Sequence, residues 1–152
     1  MELPLIAIML VALGIVLYIV DKKSESKIDL ENMTFKQSFF IGISQAIAAA
    51  FPGTSRSGIT MTVARALKLD RESAAKYSFL LSTPIVLAAV IFSITDFEFT
   101  VAFIAGVVSS FIVGLIVIKF LLNYLKKGSF KIFAIYRIII GIVVLATFIL
   151  RG

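Results

Sequence analysis

The residues best suited to chemistry lie in one short run, GTSRSGIT, at positions 53–60. Arg56 offers a planar fork of N–H donors that matches the oxygens of a phosphate group. The hydroxyls of Ser55, Ser57 and Thr60 could bind the same group or attack its phosphorus. The run therefore predicts a phosphate site, with Arg56, Ser55 and Ser57 as its catalytic residues.

The backbone around these side chains suits an anion as well. Gly53 and Gly58 would let N–H groups approach it, with Thr54 beside them, and a short helix from about Ile59 would direct its positive end towards it. The sequence leaves one alternative, a polar loop at a membrane surface in which Arg56 only extends its charge to water.

The composition indicates that a membrane surrounds this run. The 152 residues are 60% hydrophobic with a mean hydropathy of +1.06, which leaves too few polar residues to cover a soluble domain. Cysteine and histidine are absent, so thiolate metal sites and the commonest general base are excluded. The net charge of +6 is better explained by membrane topology and anionic lipid than by nucleic acid.

The apolar pattern predicts an all-α, polytopic helix bundle that forms a single membrane domain over residues 1–152. Spans are expected at residues 3–20, 77–94, 99–125 and 132–150. Residues 34–67 form a different element, because helices over 37–51 and 59–67 would be only about 22 Å and 13 Å long and a Pro-Gly pair separates them. Two short helices around such a break predict a re-entrant hairpin that carries the polar run.

Other polar residues in apolar segments remain open to two interpretations. Gln45, in the hairpin, would either bond a neighbouring helix or bind substrate. Arg137, about two turns inside the last span, would either anchor that helix, or bond carbonyls of a neighbouring helix, or make a second phosphate contact. Hydroxyl side chains near Pro84 are expected to bond backbone groups that the proline frees, and small residues at Gly106 and Gly114 predict a close-packing helix face.

The distribution of charge predicts one fixed orientation. If the basic loop at 126–131 is cytoplasmic, twelve of the 15 basic residues lie inside or flank the inner side, Arg151 alone lies outside, and Arg56 and Arg137 lie in the membrane. Both termini are then outside. So strong a bias also argues against an antiparallel dimer of dual topology.

The segment IGISQAIAAAFPGTSRSGIT, together with LKLDRESAAKYSFLLSTPIVLAA after it, strongly resembles the second signature region of the undecaprenyl-diphosphate phosphatases, the bacitracin-resistance family. The similarity continues to the C-terminal end of the chain and covers nearly all of it. It matches only the C-terminal part of that family, whose members are longer. The resemblance implies one half of an inverted-repeat fold in the cell membrane, acting on a polyprenyl diphosphate in peptidoglycan precursor recycling.

The resemblance also implies what this chain lacks. The family's Glu-rich motif and histidine belong to the first repeat, and Gln45 stands where that repeat has its leading glutamate. A divalent cation, Mg²⁺ or Ca²⁺, is expected, but its ligands are not in this chain, since all nine acidic residues fall in predicted termini or connectors. A second polypeptide with the first repeat, or a homo-oligomer, would complete the site. The alternative function is a non-catalytic lipid-phosphate binder or transporter of the same fold.

Overall fold

Six α-helices form most of the chain in the computed structural model, which describes residues 2–51 and 53–151. They are α1 (Glu2–Lys23), α2 (Phe35–Ala50), α3 (Arg56–Ala66), α4 (Arg71–Ser93), α5 (Val101–Lys127) and α6 (Lys131–Arg151), with a 3₁₀ turn at Ile94–Asp96. Helices α1, α4, α5 and α6 are long and apolar enough to cross a membrane. The described residues contain no strand, so the prediction of an all-α membrane protein is confirmed.

Side-chain caps fix where the helices begin, and two begin earlier than the sequence predicted. Asp70 Oδ1 accepts the N–H of Ser73 at 2.8 Å, so α4 begins at Arg71 rather than at residue 77. Ser55 caps α3 in the same way, so that helix begins at Arg56 rather than near residue 59. Thr34 forms a capping box with Gln37, so α2 begins at Phe35.

Helices α2 and α3 form an antiparallel pair. Gln37, in the first turn of α2, donates to the carbonyl of Leu67 just after α3 at 3.2 Å, so the outer ends of both helices lie together. At about 1.5 Å per residue, α2 is roughly 24 Å long and α3 roughly 17 Å. Gly53, in the connection, has a φ of +79°, and a Cβ there would lie 2.6 Å from the Cα of Ile6 in α1. The connection is thus a tight turn packed directly on α1.

Helix α1 also packs closely on α6. A Cβ added to Gly14 would lie 3.0 Å from Ile138 Cγ1, and one added to Gly141 would lie 2.6 Å from Val11 Cγ2. Small residues on both helices therefore bring the two backbones together, as in other membrane helix pairs.

A buried carboxylate of α1 joins α3, α4 and the residue just before α6 at one end of the bundle. Asp21 Oδ1 accepts from Arg65 Nε at 2.9 Å and Arg71 Nε at 2.8 Å, and its Oδ2 accepts from the N–H of Phe130 at 3.1 Å. We call these four residues the Asp21 cluster. The expectation that every acidic residue falls in a terminus or connector is therefore wrong for Asp21, which lies in the last turn of α1 and is only 4% exposed. It is also wrong for Glu72, which lies in the first turn of α4.

Arg65 is the most deeply buried charge of this cluster, with no exposed surface. It also donates to Ser26 Oγ at 3.0 Å and to the carbonyl of Ser24 at 2.8 Å, which ties the α1–α2 connector to α3. Burial lowers the pKa of its guanidinium and the carboxylate of Asp21 opposes that shift, so the side chain stays charged. The sequence predicted Arg65 only as a basic residue flanking the inner side.

The close-packing face predicted on α5 has no neighbour within the described chain. A Cβ added to Gly106 or Gly114 would meet no atom within 4 Å. Most of α5 is exposed, and its contact with the core is made near its C-terminal end, where Leu125 is buried. The small residues on α5 thus face the surroundings of this chain and pack against none of its helices.

Candidate functional site

A cavity of about 320 Å³ opens between α2, α3 and α4. Its lining is polar and basic although the helices around it are apolar: Gln45, Arg56, Ser57, Thr60, Ser78, Phe79 and Ser82. Along α3, Arg56 lies roughly 13 Å from Arg65 and the Asp21 cluster. The cavity is therefore set into the bundle, away from its charged end.

The polar run places its side chains on the first turn of α3. Ser55 Oγ accepts the N–H of Gly58 at 3.3 Å and so begins the helix, which brings Arg56 and Ser57 to the cavity. Thr60 lies one turn further, with its hydroxyl 3.1 Å from the carbonyl oxygens of Arg56 and Ser57. The Gly58 N–H predicted to approach an anion is thus already bonded to Ser55.

Arg137 of α6 reaches the same turn from the other side. Its Nη2 donates to Ser55 Oγ at 2.9 Å, and a Cβ on Gly58 would overlap its guanidinium. Gly58 therefore provides the space that the arginine occupies. Arg137 Nη1 is buried and has no hydrogen-bond partner in the described part of the chain. The expectation of an interhelical bond by Arg137 is thus met with a hydroxyl as the acceptor in place of a carbonyl, and its contact with a phosphate stays a prediction.

The predicted site residues therefore separate into groups. Gln45, Arg56, Ser57 and Thr60 meet at the cavity. A second group, Ser55, Gly58 and Arg137, meets behind it. Gly53 packs on α1, Thr54 Oγ1 is buried without a partner among the described residues, and Pro52 lies outside them.

Helix α4 contributes residues that the sequence did not assign to the site. Ser78 is buried, and its Oγ lies 2.6 Å from Thr60 Oγ1. Ser82 and Thr83 bond the carbonyl of Phe79 and not that of Leu80, which is the one that Pro84 leaves without an N–H partner. The expectation that these hydroxyls bond the freed group is therefore wrong for both, and Ser78 faces α3. Ser78 and Ser82 are four residues apart and share one helix face, which is the sequence signal that could have identified this wall.

The electrostatics of the site suit an anion. The described lining holds one guanidinium, several hydroxyls and one amide, with Arg137 behind it, and no described carboxylate forms an ion pair with Arg56 or Arg137. Two cations and hydroxyl donors do not fit a divalent cation, which prefers carboxylate oxygens. Among the described residues there is also no group of three metal-binding side chains.

The apolar helices and the cationic cavity define a multi-pass membrane protein with a candidate anion site. Residues 1–143 match the model of the family described as "Bacitracin resistance protein BacA". The chain belongs to this family.

Curated relatives carry one common name. Undecaprenyl-diphosphatase of Pelotomaculum thermopropionicum is 48% identical over 144 residues, which cover 93% of this chain and 54% of the relative. Undecaprenyl-diphosphatase of Caldicellulosiruptor bescii is 47% identical over 154 residues, covering 97% of this chain and 57% of the relative. The protein of the same name from Moorella thermoacetica is 41% identical over 150 residues, with the same two coverages. The chain thus spans little more than half the length of these relatives.

Proposed function

We propose that this chain is the phosphate-binding part of an integral-membrane polyprenyl diphosphate phosphatase, which removes phosphate from the lipid carrier of cell-wall precursors. The observation that carries the proposal is the cavity beside Arg56, lined by hydroxyls and backed by the buried guanidinium of Arg137, with no described carboxylate to neutralise either arginine. Undecaprenyl diphosphate is the substrate that the names of the relatives suggest.

Arg56 would neutralise the charge of the diphosphate, and hydroxyls of α3 would orient it. Hydrolysis also requires a group that accepts or donates a proton. The chain has no histidine, and the described cavity wall holds no carboxylate. The base and the ligands of a divalent cation would therefore come from outside this chain, either from a second polypeptide with the first repeat or from another copy in a homo-oligomer.

The fold we propose is one half of an inverted repeat, with α2 and α3 as a re-entrant hairpin. The inverted repeat follows from the family resemblance, and two observations support the hairpin. Neither helix, at roughly 24 and 17 Å, spans a hydrocarbon core of about 30 Å. The bond between Gln37 and the Leu67 carbonyl holds their outer ends together, so the hairpin returns to the side that it entered from.

We further propose that the chain lies in the plasma membrane with both termini outside. The Asp21 cluster gathers the end of α1 and the starts of α4 and α6 at one end of the bundle. Basic residues concentrate in the helix ends and connections on that side, including Lys22, Lys68 and Lys127, and such an excess favours the cytoplasmic face.

A second function, a lipid-phosphate binder or transporter without hydrolysis, is favoured by the lack of a base at the described site. The two functions share Arg56 and the cavity and differ only in turnover. A purely structural role would leave the buried cations and hydroxyls of the site without a purpose.

The test combines binding and turnover on the purified chain in detergent. Farnesyl diphosphate serves as a short substrate, farnesol as the uncharged control ligand, and Lys119→Ala as the matched control for Arg56→Ala, because Lys119 is an exposed cation on α5. We expect the wild type and Lys119→Ala to bind the diphosphate alike, and Arg56→Ala to bind it about tenfold or more weakly.

We expect phosphate release only after the N-terminal half of the Pelotomaculum relative is added. Metal-dependent release by this chain alone, abolished by Arg56→Ala, would show that its own residues suffice and that no base is missing. If farnesyl diphosphate binds neither before nor after the N-terminal half is added, the phosphate site itself is contradicted. The same holds if Arg56→Ala leaves that binding unchanged. Binding without release in the completed pair would favour the binder.

A further inference from the structure

The hydroxyls around the cavity differ in whether their single hydrogen is free. A serine or threonine hydroxyl has one hydrogen and two acceptor lone pairs, whereas guanidinium and backbone N–H groups only donate. Ser55 Oγ accepts from Arg137 Nη2 at 2.9 Å and from the N–H of Gly58 at 3.3 Å. Both of its lone pairs are therefore occupied.

In its remaining contact, Ser55 must therefore be the donor. Its Oγ lies 3.3 Å from Ser57 Oγ, and with no lone pair left it can only donate to that atom. Ser57 accepts this hydrogen bond and keeps its own hydrogen. Ser57 lines the cavity beside Arg56, whereas Ser55 is not among the described lining residues.

The other three hydroxyls of the described cavity wall have used their hydrogens. Thr60 donates to the carbonyls of Arg56 and Ser57, since carbonyls only accept, so Ser78 must donate to Thr60 across their 2.6 Å contact. Ser82 donates to the carbonyl of Phe79 at 2.6 Å. Among these four, Ser57 alone retains a hydrogen for a ligand.

We propose that Ser57, and not Ser55, is the serine that contacts the bound phosphate, and that Arg137 is a positioning residue that directs the Ser57 hydroxyl into the cavity. This inference rests on the proposed function. It adds which serine contacts the phosphate and where the hydrogen of that serine points. Without Arg137, a lone pair of Ser55 becomes free, Ser57 can donate to it, and the hydrogen of Ser57 turns away from the ligand. Gly58 is required for this arrangement, because only a residue without Cβ leaves room for the guanidinium of Arg137.

The test measures the Kd of the chain for farnesyl diphosphate in detergent, with farnesol as the uncharged control. Ser57→Ala should weaken binding about tenfold or more, because a hydrogen bond to a charged group is lost. Ser57→Thr, which keeps a hydroxyl, should restore most of the affinity. Ser55→Ala should weaken binding much less than Ser57→Ala, and Ser55→Thr, which keeps the cap of α3, guards against a folding defect.

A double-mutant cycle separates positioning from simple attraction by charge. Arg137→Met keeps the length of the side chain and removes its donors and charge. It should weaken binding about tenfold in the wild type and about twofold or less in the Ser57→Ala background, because its effect passes through that hydroxyl. Arg137→Lys, which keeps a donor, should restore part of the affinity.

Each of the other outcomes contradicts one part of the proposal. If Arg137→Met weakens binding equally in both backgrounds, Arg137 acts through its charge alone and the positioning role is wrong. If Ser55→Ala costs as much affinity as Ser57→Ala while Ser55→Thr is normal, the choice of serine is wrong. If the wild type binds farnesyl diphosphate no better than farnesol, the proposed function itself fails, and this inference fails with it.

Discussion

Replacement of Asp21 by asparagine should destabilise the whole bundle. Both carboxylate oxygens accept from N–H donors, Oδ1 from Arg65 and Arg71 and Oδ2 from Phe130. An asparagine has one accepting oxygen and one donating NH₂, so either orientation places the NH₂ against a donor. The fully buried charge of Arg65 would also lose its counter-charge.

The expected cost follows from these contacts. Removing one partner of a buried ion pair costs about 3–5 kcal/mol. For a chain of this size each kcal/mol lowers the Tm by about 2–4 °C on the scale of soluble domains, which gives a fall of roughly 6–20 °C. The assay heats the detergent-solubilised protein and measures the monodisperse fraction by size-exclusion chromatography, because the chain has neither tryptophan nor cysteine to report unfolding.

Two further variants complete this experiment. Glu31→Gln removes an exposed carboxylate and should change the Tm by no more than about 2 °C. The double variant Asp21→Leu/Arg65→Met removes the pair together and should recover part of the loss, since a buried ion pair can be replaced by apolar side chains at little cost. An Asp21→Asn Tm as close to the wild type as that of Glu31→Gln would refute the central role of this cluster.

Three other changes each test one contact, the first two by the same thermal assay and the third by proteolysis. Gly53→Ala would place a side chain at a positive φ and against α1, and should cost about 2–4 kcal/mol of stability. Its control, Gly42→Ala, lies in open space within a helix and should be neutral or stabilising. Similar Tm values for the two variants would contradict the described turn. Phe130→Ala, at 1% exposure, should cost about 3–5 kcal/mol, while Phe120→Ala, at 73%, should cost far less, and an equal loss would argue against the packing of α6 on this core. Ser73→Ala removes the acceptor of the Leu30 N–H and should cost about 1–2 kcal/mol. The loss should appear as faster proteolysis of the connector between α1 and α2. Unchanged cleavage would show that this bond does not hold the connector.

The fold class and part of the candidate site could be predicted because their signals are local. Long apolar runs indicate the spans, and the polar run after the Pro-Gly break leads to the cavity beside Arg56. Helix starts were less accurate, since a cap such as Ser55 or Asp70 can begin a helix several residues before the apolar pattern does.

The residues that the sequence did not predict depend on contacts between distant segments. Asp21 looked like part of a solvated connector, and its partner Arg65 lies 44 positions away, with nothing local to indicate the pairing. Ser78 joins the cavity only because α4 packs beside α3. The contact of Arg137 with Ser55, across 82 positions, likewise depends on α6 lying next to the hairpin.

The Asp21 cluster also sets an order for biogenesis. Helix α1 is synthesised before the residues that bind Asp21, and the Phe130 amide follows 109 positions later. At about 5–20 residues per second, the ribosome needs roughly 5 to 20 s to produce that partner. Asp21 Oδ1 gains its donors Arg65 and Arg71 at 44 and 50 positions after Asp21, but Oδ2 lacks its native donor throughout this interval. The contacts that anchor the end of α1 are therefore complete only when the start of α6 has left the ribosome. A chain that stalls before that point would expose an α1 that lacks one of its native partners to the quality control of the membrane.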